Sequence, residues 1–258
     1  MTEADRWADL RVRVVSAAVL VLVGAVAVVA GGPIFAAMIL AAVGAMVWEL
    51  AGMTAPDDVV RIGLGLMTPF CLGLPLILPT PIGLVLMLLP SLGLLLTPRR
   101  DPILVAAYAL AIMLAGAGFL ALRSGGAEVF LWLVMVIVAS DTMGYFVGRR
   151  IGGPKLWPAV SPKKTWSGTV AGWVGASIVG LAFALFGHLP WALVFLSPLI
   201  AFAGQMGDIA ESWIKRRAGI KDASNLIPGH GGVLDRFDAL VGAMLALHLL
   251  RLVVPGLI

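Results

Sequence analysis

The chain has 258 residues, of which 60% are apolar and only 12% charged. Soluble domains run about 45–50% apolar and about 25% charged, so the composition excludes an ordinary soluble domain and points to an all-α, polytopic integral membrane protein. One cysteine, Cys71, excludes a disulfide framework within the chain, and the formal charge of +4 informs mainly through where it falls.

The N-terminal stretch MTEADRWADLRVRVV mixes acids with bases, and no A-x-A-like site closes the apolar run behind it. Residues 14–30 therefore read as a retained first span rather than a signal peptide. Nine hydrophobic segments follow in order, at about 12–30, 33–53, 59–78, 81–96, 102–122, 127–148, 168–187, 189–206 and 236–254. Tight turns marked by glycine or proline separate several of them: GGP, LPTP, TPRRDP, RSGGAE and GHLP. Backbone in lipid must satisfy its own hydrogen bonds, which makes these segments helices. The third and fourth would serve equally as a re-entrant pair, with the later sidedness unchanged.

The basic residues test this count. With a cytoplasmic N-terminus and alternating sides, 16 of the 18 lysines and arginines fall on inner segments, and only Arg123 and Arg251 fall outside. That asymmetry is the positive-inside pattern. Two inner connections are long, 149–167 and 207–235, and both are basic. No repeat is visible. One membrane domain over 1–258 is expected, with N-terminal helices over about 1–126 and a catalytic part over about 127–258.

Ionisable groups inside membrane segments are expensive and point to function by default. Glu49, near a cytoplasmic end, reads as a snorkelling or helix-pairing carboxylate. Asp141, in VASDTMGYFVGRR, is either a structural carboxylate bonded to a neighbouring helix or part of a site. In SPKKTWSG, Ser-Pro marks a turn, and Thr165 or Ser167 can cap the seventh helix. Lys163 and Lys164 then stand before a helix N-terminus, where anions bind; the plainer reading is a charge pair that fixes topology. The second long connection begins as a continuation of span eight, with Asp208, Glu211 or Ser212, and Lys215 at helical spacing. It ends in PGHGG and LDRFD. Glycines there let backbone N–H groups approach a phosphate. Asp235 and Asp238, three apart, share one face of a helix start, where carboxylates are favourable in any case. Hard oxygen ligands suit Mg²⁺ held together with substrate phosphates, and basic side chains suit the remaining phosphate charge. The residues alone thus point to a metal-dependent enzyme acting on phosphates at the cytoplasmic membrane surface.

Residues 212–238, SWIKRRAGIKDASNLIPGHGGVLDRFD, resemble the signature of the phosphatidate cytidylyltransferase (CDP-diacylglycerol synthase) family. The pattern is S-x-apolar-K-R, four residues, K-D, a small residue, then P-x-H-G-G-apolar-x-D-R-apolar-D, and every fixed position is met. SDTMGYFVGRRIGG and SPKKTWSG are similar to further blocks of that family. Ser167 stands where the family usually has glutamate, so a role resting on that carboxylate has no counterpart here. The resemblance implies a bacterial cell-membrane enzyme with a cytoplasm-facing site that joins CTP and phosphatidic acid, giving CDP-diacylglycerol and pyrophosphate. It implies Mg²⁺, with or without a second cation, held by Asp208 and Asp235. It assigns phosphate neutralisation and catalysis to Lys215, Arg216, Lys221, His230 and Arg236, and substrate binding to Ser161, Lys163, Lys164, Thr165, Ser212, Gly231 and Gly232. Asp141, Asp222 and Asp238 would stand behind those ligands or add to them. The expected partners are the two substrates, membrane lipid and a second copy in a homodimer, with no nucleic acid.

Two competing readings are weaker. A CDP-alcohol phosphotransferase would carry D-G-x2-A-R, eight residues, G-x3-D-x3-D, and no such run is present. A secondary transporter places its site near the bilayer midplane, often within repeats, whereas these charges crowd at one face.

Overall fold

The computed structural model describes residues 3–55, 57–78, 80–187 and 189–254; the side chains of residues 3–9 and of Thr80 fall outside that description, as do His188, read as structural, and Ile258. The molecule is 81% helical. Its helices among the described residues are α1 Glu3–Ala30, α2 Gly32–Thr54, α3 Asp58–Gly73, α4 Thr80–Leu96, α5 Pro102–Ser124, α6 Ala127–Ile151, α7 Trp166–Phe186, α8 Ala192–Ala218 and α9 Leu234–Val253. Each expected apolar segment is thus one helix. Seven of them are long and apolar enough to cross a membrane, and α4 contributes a shorter apolar stretch, Pro81–Leu96. The helix α9 is apolar in its middle but carries Asp235, Arg236 and Asp238 at one end and Arg251 at the other.

Local chemistry sets the ends of these helices. Asp57 caps α3 by accepting from the N–H groups of Val59 (3.0 Å) and Val60 (3.1 Å). A 3-10 turn, Leu74–Leu76, continues α3. The helix α8 runs on for 27 residues, roughly 40 Å at about 1.5 Å per residue, so its polar last turns extend past any apolar layer of about 30 Å.

The first long connection differs from expectation. It contains an antiparallel hairpin, β1 Lys155–Trp157 and β2 Ser161–Thr165, pairing Lys155 with Thr165 and Trp157 with Ser161 across a bulge. SPKKT is therefore a strand rather than a simple turn. Pro162 is tolerated because a two-stranded ribbon is all edge, where a missing N–H need not break a ladder bond.

The described residues form two compact units. The first comprises Met1–Leu120 and Arg217–Arg236; the second comprises Ala121–Arg216 and Phe237–Ile258. In the first, α2 packs along α3, α3 along α4, and α1 against α2. Arg217 donates twice to Asp101, at 2.7 and 2.6 Å. This fixes the start of the 217–236 segment to the α4–α5 connection, and the hydrogen bonds hold the Asp101 carboxyl below the usual carboxylate range. In the second unit α6 lies along α7, and α8 meets α9 backbone to backbone. A Cβ on Gly207 would come within 2.4 Å of the Asp238 carbonyl oxygen, and one on Gly242 within 2.4 Å of that of Ala203.

The charge asymmetry of the sequence gives a topological prediction. A cysteine placed at Ile258 is expected to react with an impermeant maleimide from outside intact cells. Labelling only from the cytoplasmic side would contradict nine crossings.

Candidate active site

The close approach of α8 and α9 brings acids together. Asp208 and Glu211 lie one turn apart on α8, and Asp238 lies in the second turn of α9. Carboxylate oxygens of all three fall within 4.8 Å of one another. Two lysines close on this cluster. Lys164 Nζ, from β2, lies 2.5 Å from Asp208 Oδ2 and donates to the Gln205 carbonyl at 3.1 Å. Lys215 Nζ donates to Glu211 Oε2 at 2.5 Å, with both residues buried. Ser212 donates to Asp208 Oδ1 at 3.3 Å. Three acidic side chains thus meet two basic ones.

Lys164 also lines an open pocket of ≈ 600 Å³ between the hairpin, α6 and α7. Asp141, Tyr145, Arg149, Lys155 and Lys163 face it as well. Arg149 donates to the Tyr145 hydroxyl at 2.8 Å, which fixes the guanidinium at the mouth. A buried amide braces the floor. Gln205 donates to Ser140 Oγ (3.2 Å) and the Thr169 carbonyl (3.4 Å) and accepts from Trp173 Nε1 (3.2 Å), which ties α8 to α6 and α7. Thr165 caps α7, accepting from the Gly168 N–H at 3.2 Å. Ser167, the other candidate cap, instead donates to the Gly152 carbonyl at 2.5 Å and shares a hydrogen bond with Thr165.

Ser161 lies on β2 and Arg216 at the end of the second unit's stretch of α8; the other site candidates belong to the first unit, where the 220–236 segment is held by side chains distant in sequence. Glu49 does not snorkel: it is 0% exposed. Its Oε1 accepts from Ser224 Oγ (2.6 Å) and the Val233 N–H (2.9 Å), and its Oε2 accepts from the Leu234 N–H (2.7 Å). The carboxylate thus caps the N-terminus of α9 from α2. Gly232 must be glycine, since a Cβ there would meet the Glu49 carboxylate at 2.5 Å. Gly231 has φ +86° and closes the PGHGG turn onto Ile227. Asp235 Oδ2 accepts from the N–H groups of Ala223 (2.9 Å) and Gly232 (2.7 Å). Arg236 donates to the His230 carbonyl through Nε (3.1 Å) and a terminal nitrogen (2.5 Å). His230 Nδ1 lies 2.9 Å from Ser16 Oγ on α1, so any contact to a phosphate falls to Nε2. Lys221 and Asp222 are exposed on the same segment, and Arg216, at the end of the second unit's stretch of α8, is exposed as well.

The structure therefore groups Asp208 with Glu211 and Asp238, and occupies one oxygen of Asp235 with loop N–H groups. Sequence reasoning did not single out Glu211 as a ligand candidate, nor Gln205, although a glutamine inside an apolar span was a visible signal.

A family profile described as the cytidylyltransferase family matches residues 11–254. Among curated proteins, the chain is 46% identical over 126 residues to a phosphatidate cytidylyltransferase of Brucella abortus, covering 48% of this chain and 47% of that one. It is 38% identical over 162 residues to a phosphatidate cytidylyltransferase of Staphylococcus saprophyticus and 36% identical over the same length to one of Staphylococcus aureus, covering 60% of this chain and 62% of each. The match thus spans about half the length of the Brucella relative and less than two thirds of the staphylococcal ones.

Proposed function

The chain belongs to the cytidylyltransferase family, and from that premise we propose that it is a phosphatidate cytidylyltransferase, converting CTP and phosphatidate to CDP-diacylglycerol and pyrophosphate at the cytoplasmic face of a bacterial cell membrane. The observation that carries the reading is the second-unit constellation: Asp208, Glu211 and Asp238 beside Lys164, which itself lines a cavity bordered by Arg149, Lys155 and Lys163. A lipid phosphate stays at the interface while CTP arrives from water, so the two can meet only where charge and apolar spans adjoin. The named relatives act in the same direction.

The donor set fits a divalent cation. Oxygens bound to one Mg²⁺ lie within about 4.2 Å of each other, given bonds of about 2.1 Å, and the convergence within 4.8 Å requires only side-chain adjustment. Asp208, Glu211 and Asp238 would hold the ion, while Asp235 anchors the loop through the N–H groups of Ala223 and Gly232. When bound, such an ion neutralises phosphate charge and stabilises the charge that develops on the phosphoryl oxygens.

The protein's own groups do the rest. In the reaction an oxygen of the phosphatidate phosphate attacks the α-phosphorus of CTP. A new P–O bond forms in line as the bond to the bridging oxygen breaks, and the electron pair leaves with pyrophosphate. No covalent enzyme intermediate is required. Arg149, Lys155 and Lys163 hold the phosphates in the pocket by charge-assisted hydrogen bonds. Lys164, paired with Asp208, links that pocket to the carboxylates. Ser161, Thr165 and Ser212 contribute hydroxyls, with Thr165 and Ser212 also orienting the hairpin and Asp208. Lys215 is buried against Glu211 and orients that carboxylate. In the 217–236 segment, Gly231 and Gly232 shape the turn, Lys221 and Arg236 supply positive charge and His230 keeps Nε2 for an anion; Arg216 adds positive charge at the end of the second unit's stretch of α8.

The direct test supplies purified protein with phosphatidate and CTP labelled in the cytosine ring. The label should pass into the lipid fraction as CDP-diacylglycerol; label that stays in water contradicts the assignment. Ser167→Glu should change turnover less than tenfold, because Thr165 rather than Ser167 caps α7 and Ser167 ties the first turn of α7 to Gly152 and Thr165. A rise well beyond tenfold would show that a carboxylate at this place takes part in the reaction.

A further inference from the structure

We propose that the first unit carries a binding site for a phosphate ester, centred on Arg61 and built from residues that the carboxylate cluster and its pocket do not use. The site is a cavity of ≈ 560 Å³ lined by the end of α2, the first turn of α3 and residues of the 220–226 segment. The Arg61 guanidinium carbon lies 3.5 Å from the centroid of the Trp48 ring. The backbone of Gly52, one turn on from Trp48 along α2, also packs against it, since an added Cβ there would meet Arg61 Nε at 2.7 Å. The guanidinium is therefore held against α2 before any ligand arrives. Its Nε is buried without a hydrogen-bond partner among the described residues. The only ion pair of its terminal nitrogens there is a loose one, at 3.8 Å, to Asp58, whose side chain is 82% exposed.

A guanidinium fixed by stacking, with terminal donors not committed to protein acceptors, is suited to a planar two-point grip on a phosphate. Stacking on Trp48 restricts its rotamers in advance, so less entropy is lost on binding. The lining also carries the Asn225 amide and the Asp222 carboxylate, which can bond ester oxygens and hydroxyls of glycerol or ribose, while the Ser224 hydroxyl is engaged by Glu49 and the Leu226 N–H. Met53, Ile220 and Leu226 make the remainder apolar. That mixture matches an amphipathic ester, namely a phospholipid headgroup with the top of its chains. A soluble nucleotide offers the same phosphate chemistry, and the experiment separates the two sources.

The full-length protein, released from detergent in a native mass spectrometer, is titrated with dioleoyl phosphatidate, with dioleoylglycerol (the same chains without phosphate) and with CMP. The wild type should bind phosphatidate in preference to dioleoylglycerol. Arg61→Gln should weaken one phosphatidate adduct at least about tenfold, the scale of losing charged hydrogen bonds, and leave dioleoylglycerol unchanged. Gly52→Ala keeps the charge but displaces the guanidinium, and should weaken the same adduct. Should the CMP adduct fall in both variants while phosphatidate binding holds, the site takes its phosphate from a nucleotide. Wild-type binding of phosphatidate and CMP in either folded variant overturns the proposal. The readout is an adduct and not turnover, so its failure would leave the cytidylyltransferase reading standing, and the reverse also holds.

Discussion

Asp208→Asn is expected to lower turnover at least about 100-fold, the scale of losing one major transition-state stabiliser. Asparagine keeps the size and one oxygen of the side chain but removes the charge that a divalent ion needs from its ligands. It also releases Lys164, whose ion pair at 2.5 Å joins the carboxylate cluster to the phosphate pocket. Asp238→Asn should fall about as far, because its carboxylate shares the cluster. Both proteins should still fold, since asparagine is close in size to aspartate and each change relieves the crowding of three carboxyl groups within 4.8 Å. A double variant should be little worse than the worse single one, as groups that act as a unit are not additive. Asp235→Asn weakens the loop anchor at Ala223 and Gly232 and should lower turnover without acting on the ion. The Mg²⁺ concentration for half-maximal turnover distinguishes these cases. It should rise in Asp208→Asn and Asp238→Asn and stay at the wild-type value in Asp235→Asn; an unchanged value in the first two would remove them from the ligand set. Turnover above half of wild type in folded Asp208→Asn would remove Asp208 from the ligand set.

Glu49→Ala should be the most destabilising single change outside the cluster. Three donors, Ser224 Oγ and the N–H groups of Val233 and Leu234, lose their acceptor at a fully buried position. Leaving such donors unsatisfied costs about 1–3 kcal/mol each, so at about 2–4 °C per kcal/mol the midpoint of thermal unfolding in detergent should drop by at least about 6 °C. Because Glu49 caps α9 and orders the segment containing His230, Asp235 and Arg236, turnover should fall as well. Glu49→Gln keeps one acceptor oxygen and should lie between. An unfolding midpoint within about 1 °C of wild type for Glu49→Ala would show that the segment is held by other contacts.

These two sites illustrate what the sequence made legible. The nine helices among the described residues followed from apolar runs broken by glycine and proline, because burial in lipid depends on composition over a whole turn and tolerates local detail. The chemistry-bearing segments were visible as charge in an apolar background. Partner choice was not. Asp235 and Asp238 sit three apart at one helix start, and nothing in that spacing says that one oxygen of Asp235 faces Ala223 and Gly232 while Asp238 faces Asp208 and Glu211. That outcome depends on the Gly207–Gly242 approach of two helices. Glu49 acts on residues 175 to 185 positions away, a separation no local pattern encodes. The hairpin escaped because SPKKT lacks the alternation of a half-buried strand; its two strands are held by each other and by Thr165 at the start of α7.

The measurement that bears most directly on the central claim is pyrophosphate release by the purified, full-length protein. Release from CTP should require both phosphatidate and a divalent cation, should stop on chelation and resume with added Mg²⁺, and should be lost in Asp208→Asn. Release that proceeds without phosphatidate, or that is indifferent to chelation and to Asp208→Asn, would contradict the account.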